Sequence, residues 1–338
     1  MKTSEEVFDV TIIGGGPAGL FAAFYSGMRE MKTKIIEYLP YLGGKIPYFY
    51  PEKVIRDIGA IAEATGDEVT DQLVQQAMTF DPAIVLEEQV VDLERLEDDT
   101  FKLISSNGNV HFSKTVILAT GFGTLHSVKL EHPEAADFEE KSLHYTVRKL
   151  ADYHGRHVLI SGGGDSAIDW ALELENIASS VTLVHRRNEF KGLESNVTKL
   201  RKSRVRMMTP YEILQLHGND GQLRKVTIQH KDNKHDRQDI AVDRVVVNHG
   251  FQINLEPITN WGLEMADGMF VVDSSMETSM KGVFAIGDIA HYPNKLGLIA
   301  GAFNEGPIAI NHAKKLVDPE DPVVPLFSTE YRPLTDKE

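Results

Sequence analysis

Two stretches of the chain share one hydrophobic signature. Val7-Phe8-Asp9-Val10-Thr11-Ile12-Ile13 is a short, mostly apolar run. It leads into Gly14-Gly15-Gly16-Pro17-Ala18-Gly19 and then Leu20-Phe21-Ala22-Ala23-Phe24. His157-Val158-Leu159-Ile160-Ser161 repeats the pattern, followed by Gly162-Gly163-Gly164-Asp165-Ser166-Ala167 and Ile168-Asp169-Trp170-Ala171-Leu172. Each reads as a buried strand, a glycine turn and the start of an apolar helix. A second run follows each helix, Lys34-Ile35-Ile36-Glu37 in one case and Val181-Thr182-Leu183-Val184-His185 in the other. Strand, helix and strand at this spacing predict a βαβ unit with parallel strands. The turns at Gly14 and Gly162 are too far apart for a stacked repeat, so they mark two separate dinucleotide-binding domains.

Two more apolar runs, Thr115 to Gly121 and Gly282 to Asp288, predict buried strands, and a helix is expected from about Ile299 to Lys314. Asn219-Asp220-Gly221 reads as a turn joining two strands, the second containing Val226-Thr227-Ile228. Beyond Leu316, Pro319, Pro322 and Pro325 stand among acids and predict an extended arm.

Composition narrows the chemistry. A chain of 338 residues with 42% hydrophobic and 25% charged residues suits about two folded domains and needs no staple. It has no cysteine, which excludes disulfides, iron–sulfur ligation, thiolate zinc sites and a dithiol redox centre. The net charge of −15 repels nucleic acid and anionic lipid. No apolar run reaches the roughly 18 residues of a membrane span, and the N-terminus lacks a signal-peptide core, so a cytoplasmic location is the default expectation. The thirteen histidines show no metal-ligand spacing, and no metal is expected.

Gly14, Gly16 and Gly19 fit G-x-G-x-x-G. The first permits the tight turn, the second lets backbone approach a pyrophosphate, and the third lets helix pack on strand. The helix N-terminus adds backbone donors and partial positive charge. Glu37 ends the second strand, where an acid accepts from ribose hydroxyls. Such a site serves FAD or NAD. Asp288 favours FAD, because its carboxylate can accept from a ribitol hydroxyl that NAD lacks.

These four segments together resemble the two-dinucleotide-binding-domain flavoproteins, and their order resembles the thioredoxin-reductase-like branch, from Val7 to Tyr331. The resemblance implies an α/β fold with two Rossmann-like three-layer domains. The FAD domain would be discontinuous, about 1–121 and 252–338 with an arm from about 317. The NADPH domain would be inserted, about 122–251. Crossings near Gly121-Phe122-Gly123 and His249-Gly250-Phe251 would act as a hinge. The resemblance also places Pro17, Ala18, Gly44 and Lys45 at the flavin, with Val90, Thr120, Gly121 and Leu125. Lys45 stands where the family commonly has Gln. It either donates to the flavin pyrimidine edge or is simply solvated. Leu125 replaces a common aromatic.

The second turn, Gly162, Gly164 and Ala167, fits G-x-G-x-x-A, with Asp165 and Ser166 inside it. No acid ends its second strand; His185-Arg186-Arg187 does. An acid would repel a 2′-phosphate, whereas arginine pairs with it, so the site reads as NADPH. The family pattern His-Arg-Arg-x-x-Phe-Arg is matched except that Lys191 stands last.

Thioredoxin reductases carry Cys-x-x-Cys shortly before this turn, where the present chain has about Leu143-His144-Tyr145-Thr146. Several strings resemble the cysteine-less ferredoxin–NADP reductases of this branch: Tyr48-Phe49-Tyr50-Pro51-Glu52-Lys53, Val247-Asn248-His249-Gly250-Phe251 and Pro325-Leu326-Phe327-Ser328-Thr329. That resemblance assigns Tyr50 to one isoalloxazine face, Phe327 (often His in relatives) to the other, and the Thr329 hydroxyl close to the ring. Phe327 would gate nicotinamide access, or else anchor the arm elsewhere. It further implies hydride transfer to flavin N5, single-electron delivery to ferredoxin or flavodoxin as an acidic redox protein, and a homodimer. Other acceptors, such as a quinone or oxygen, and a non-catalytic FAD redox sensor remain alternatives. From Arg186 to Arg206 eight basic residues face two acids. Part of the excess serves the 2′-phosphate, and the remainder either steers an acidic partner or is a solvated face.

Overall fold

In the computed structural model, residues 6–255 and 257–331 are described. The chain divides into two compact units, one of residues 1–47, 53–124 and 253–338, the other of residues 48–52 and 125–252. The short piece 48–52, which the sequence reading left in the first domain, groups with the second unit.

The first unit is built on Val7–Ile13, whose residues Val10 and Ile12 are fully buried. This strand pairs in parallel with Thr33–Ile36 on one side and Val110–Leu118 on the other. Ala83–Val85 extends the sheet beyond Thr33–Ile36. The Val110–Leu118 strand is shared. Its first half pairs antiparallel with Phe101–Ser105, and its last residues pair in parallel with Val283–Ala285. Val90–Arg95 closes that antiparallel edge, an edge the sequence reading did not foresee. The helix Pro17–Met28 follows the first glycine turn, and Ile299–Val317 packs beside it. Gly306 permits that approach, since a Cβ there would lie 3.3 Å from Ala22 Cα and Cβ.

The second unit has a parallel sheet in the order Leu143–His144, Arg244–Asn248, His157–Gly162, Ser180–Val184, Arg206–Met208. The helix Asp165–Leu174 follows the second glycine turn. It buries Ile168, Trp170, Ala171 and Leu174 in the core beneath the sheet. An antiparallel sheet of Tyr211–Asn219, Gln222–His230 and Arg237–Ala241 packs in a second core, with Leu159, Val184, Val245 and Val247 of the parallel strands, and the turn falls at Asp220-Gly221 as expected. The piece 48–52 joins this unit through three contacts. The Phe49 ring meets Phe251 edge-on at 4.2 Å. Tyr48 Oη lies 3.3 Å from Ser127 Oγ. The Leu150 N–H donates to Glu52 at 2.7 Å.

Candidate functional site

The first glycine turn sits at the C-terminal end of its strand, where open α/β sheets bind ligands. Gly14 has φ +110°, and a Cβ on it would lie 2.3 Å from the Ala119 carbonyl oxygen. A Cβ on Gly19 would lie 2.0 Å from the Gly14 carbonyl oxygen. Both positions therefore require glycine. Gly44, at φ +62°, brings its backbone onto Gly16; a Cβ there would stand 2.9 Å from Gly16 Cα. Pro17 opens the helix and Ala18 is buried in its first turn, and no side chain caps the helix. Its first N–H groups are thus left for an anion.

Glu37 is only 3% exposed. Its two carboxylate oxygens accept from the Gly15 N–H at 2.6 Å and the Leu39 N–H at 2.9 Å. Burial pushes its carboxyl above the usual range, against the pull of these backbone donors. A carboxylate with about four lone-pair sites still has room for ribose hydroxyls. Among the described residues, Thr120 presents a buried Oγ1 with no partner, and nothing lies within 4 Å of where a Gly121 Cβ would be. A buried hydroxyl without a partner beside that open position is what a ligand with its own polar edge would complete.

The Gly287-Asp288 turn lies against this site. A Cβ on Gly287, at φ +71°, would stand 3.0 Å from Ala18 Cβ. Asp288 forms an ion pair with Lys45, and the Lys45 ammonium stands 4.5 Å from the centre of the Phe122 ring. Lys45 is therefore held beside the Asp288 turn. Beneath the turn lies Glu305, which sequence reasoning did not single out. It is 2% exposed and accepts from the Gly287 N–H at 2.6 Å and the Tyr292 hydroxyl at 2.7 Å, and it pairs with Lys295. Burial and the bond to Glu305 push the Tyr292 phenol up to about 12.

The other expected flavin residues stand on other elements. Val90 is buried in the strand that pairs with Phe101–Ser105. Leu125 belongs to the short strand Thr124–Ser127, but its side chain lies outside the described residues. Tyr50 is half-buried in the piece that groups with the second unit. Phe327 is 56% exposed and Thr329 is exposed, both on the arm. The arm is tied to the last turn of the first helix. Arg29 pairs with Asp321 and donates to the Pro322 carbonyl at 3.3 Å, and the Leu326 N–H donates to Tyr25 Oη at 3.0 Å. Tyr25 is eight residues beyond Pro17, or roughly 12 Å along the helix from the glycine turn. Within its own chain the arm is thus moored at the end of the helix away from the glycines.

The second turn is built similarly. A Cβ on Gly162 would lie 2.5 Å from the Asn248 carbonyl oxygen and 2.9 Å from Ala167 Cβ. Gly164 starts the helix without a side-chain cap. The His185 ring lies over Gly163, where a Cβ would come within 2.4 Å of it, and it stacks on Phe190 at 5.6 Å. The Lys191 N–H donates to the Gly163 carbonyl at 2.7 Å, which draws the basic loop against the turn. Asp165 accepts from the Leu193 N–H at 2.8 Å, and Ser166 is exposed beside it. Among the described residues His185 Nε2 is buried without a partner. Burial holds the His185 imidazole below its ordinary pKa, and repulsion from Arg187 and Arg186 adds to this. Arg186, Arg187 and Lys191 are exposed, and among the described residues none is in an ion pair. By contrast Arg204 is engaged by Glu175 and Arg206 by Gln238.

The family model for pyridine nucleotide-disulphide oxidoreductases matches residues 8–306. The chain belongs to that family. It is 51% identical to ferredoxin–NADP reductase 1 of Bacillus velezensis, over 99% of both chains. It is 47% identical to ferredoxin–NADP reductase 1 of Listeria welshimeri, over 96% of this chain and 98% of the relative. Among solved structures it resembles thioredoxin reductase of Lactococcus lactis in its FR conformation. The TM-score there is 0.71 at 26% identity, covering 92% of this chain and 99% of that one. The expected α/β fold with dinucleotide-binding units of the thioredoxin-reductase type is therefore found. Among the described residues no helix is long and apolar enough to cross a membrane, and no cluster could hold a metal ion.

Proposed function

We propose that this protein is an FAD-dependent reductase that moves electrons between NADPH and a ferredoxin without a disulfide relay. The observation that carries the reading is the contrast between the two glycine turns. One is closed by the buried acceptor Glu37, the other by the exposed Arg186 and Arg187, which have no ion pair among the described residues. Glu37 suits ribose hydroxyls, and the arginines suit a 2′-phosphate. When bound, FAD supplies a group that takes up a hydride from NADPH and releases electrons singly.

The chain's own residues bind and orient. Gly14, Gly16, Gly19 and Gly44 form the cradle for the FAD pyrophosphate, and Asp288 accepts from the ribitol. Thr120, Gly121, Val90 and Leu125 complete the FAD site. Gly162, Gly164 and Ala167 cradle the second pyrophosphate, and His185, Arg186, Arg187 and Lys191 hold the 2′-phosphate. Tyr50 and Phe327 shield the ring from water, with the Thr329 hydroxyl beside it. The printed names of the relatives support ferredoxin as partner, and an acidic flavodoxin has the same charge. The exposed Lys199, Arg201 and Lys202 at the end of the helix Glu194–Lys202 would steer either. A homodimer in the cytoplasm is part of this reading.

Anaerobic mixing with NADPH tests it. The flavin should bleach, and NADH should be a far poorer donor. Reoxidation by ferredoxin or flavodoxin should be rapid and should slow with salt. Bleaching followed by reoxidation only with quinone or oxygen would replace the acceptor. A flavin that NADPH leaves oxidised would make the protein a non-catalytic flavin sensor.

A further inference from the structure

The interior of the first unit holds a charge that the proposed reaction does not use. Glu305 lies within the helix Ile299–Val317 and is 2% exposed. A buried carboxylate is costly unless its lone pairs are filled. Here they are filled from one segment. The Gly287 N–H donates at 2.6 Å, the Tyr292 hydroxyl at 2.7 Å, and the Lys295 ammonium, itself largely buried, forms an ion pair. All three donors lie between residues 287 and 295, so one side chain gathers the whole loop between the Val283–Ala285 strand and the helix. Gly287 rests on Ala18 in the first turn of the glycine-turn helix, and Asp288 is the next residue. Gly306, directly after Glu305, lets its helix press against Ala22. The carboxylate therefore sits where the helix pair and the Asp288 turn meet.

We infer that Glu305 is a positioning residue for flavin: through the Gly287 N–H, and with Lys295 as countercharge, it fixes where Asp288 presents its carboxylate. This rests on the reading that the first unit binds FAD. Backbone geometry alone would leave the turn free to shift, because glycine at φ +71° has broad conformational freedom. A neutral amide at position 305 would still accept from Gly287 but would leave the Lys295 ammonium buried and unpaired. Removing both charges should therefore be milder than removing one.

The test is the rate of FAD release from the full-length holoprotein, with the visible circular dichroism of the bound flavin and the melting temperature measured in parallel. Glu305→Gln should release FAD about ten-fold faster and alter the flavin dichroism, and Lys295→Met should act in the same direction. The double variant Glu305→Gln with Lys295→Met should recover most of the lost retention. Glu305→Ala should be worse than any of these; if it fails to fold, the Gln series carries the test. Parent-like release and dichroism in Glu305→Gln, whatever the melting temperature, would overturn the inference. So would a double variant that releases FAD faster than either single. A parent chain that retains no FAD at all would overturn the underlying reading, and is told apart because it appears before any substitution is made.

Discussion

Lys45 and Asp288 are 243 positions apart in the chain and meet as an ion pair beside the first glycine turn. Each was expected to address flavin. In the folded chain they also address one another, so Asp288 is held in place by a cation before any ribitol hydroxyl reaches it. Asp288→Asn removes the charged acceptor. A hydrogen bond to a charged group is worth about 1.5–3 kcal/mol, so FAD release should quicken by roughly one to two orders of magnitude. Lys45→Met should quicken it less and shift the flavin midpoint potential to more negative values, since it removes the cation that favours an anionic reduced ring. A potential unchanged in Lys45→Met would make the lysine a partner of Asp288 only.

Glu37 gives the first site a pH dependence. Its carboxyl is raised by burial, so it takes up a proton at higher pH than an ordinary glutamate. The folded chain without FAD gains stability from this as pH falls, while the capacity to accept from ribose is lost. FAD retention should therefore weaken as pH falls through that raised value. Glu37→Gln should bind FAD more weakly at neutral pH and lose most of this dependence. FAD release rates from pH 5 to 8 would check it, and equal slopes in parent and variant would count against Glu37 as the ribose acceptor.

Arg186 and Arg187 are exposed and, among the described residues, outside any ion pair, so their loss should cost little stability. Arg186→Ala should lower kcat/KM for NADPH by about 10- to 100-fold, as expected for a lost charge-assisted contact, and leave NADH nearly unchanged. Steady-state rates with both donors decide this. An equal loss with both would place the arginine at a shared part of the nucleotide.

Phe327 is exposed on an arm that Arg29 and Tyr25 hold at the far end of the first helix. If the side chain shields the ring, Phe327→Ala should change the flavin absorbance and speed its reduction by NADPH. An unchanged spectrum and rate would leave Phe327 as an anchor for the arm.

What could be read from the sequence follows from how local each signal is. The glycine turns are local devices, because a tight turn and a close backbone approach restrict residue choice at fixed offsets; Gly14, Gly19 and Gly162 are such positions. Apolar runs likewise announce Val7–Ile13 and His157–Gly162, which are buried on both faces. Glu305 gave no comparable sign. It sits inside the helix expected from about Ile299 to Lys314, and its meaning lies in a loop ten to eighteen residues away. The strand Val90–Arg95 alternates buried and exposed positions only weakly, which is why the antiparallel edge was missed.

The five residues 48–52 alter how the molecule can be taken apart. A clone of residues 125–252 alone would lack Phe49 and Glu52, leaving the Phe251 ring uncovered and the Leu150 N–H without its carboxylate. A nucleotide-binding fragment cut at the obvious borders would thus carry a sticky scar. Supplying the missing pentapeptide through a designed linker should make the excised half better behaved than the half trimmed at its own ends.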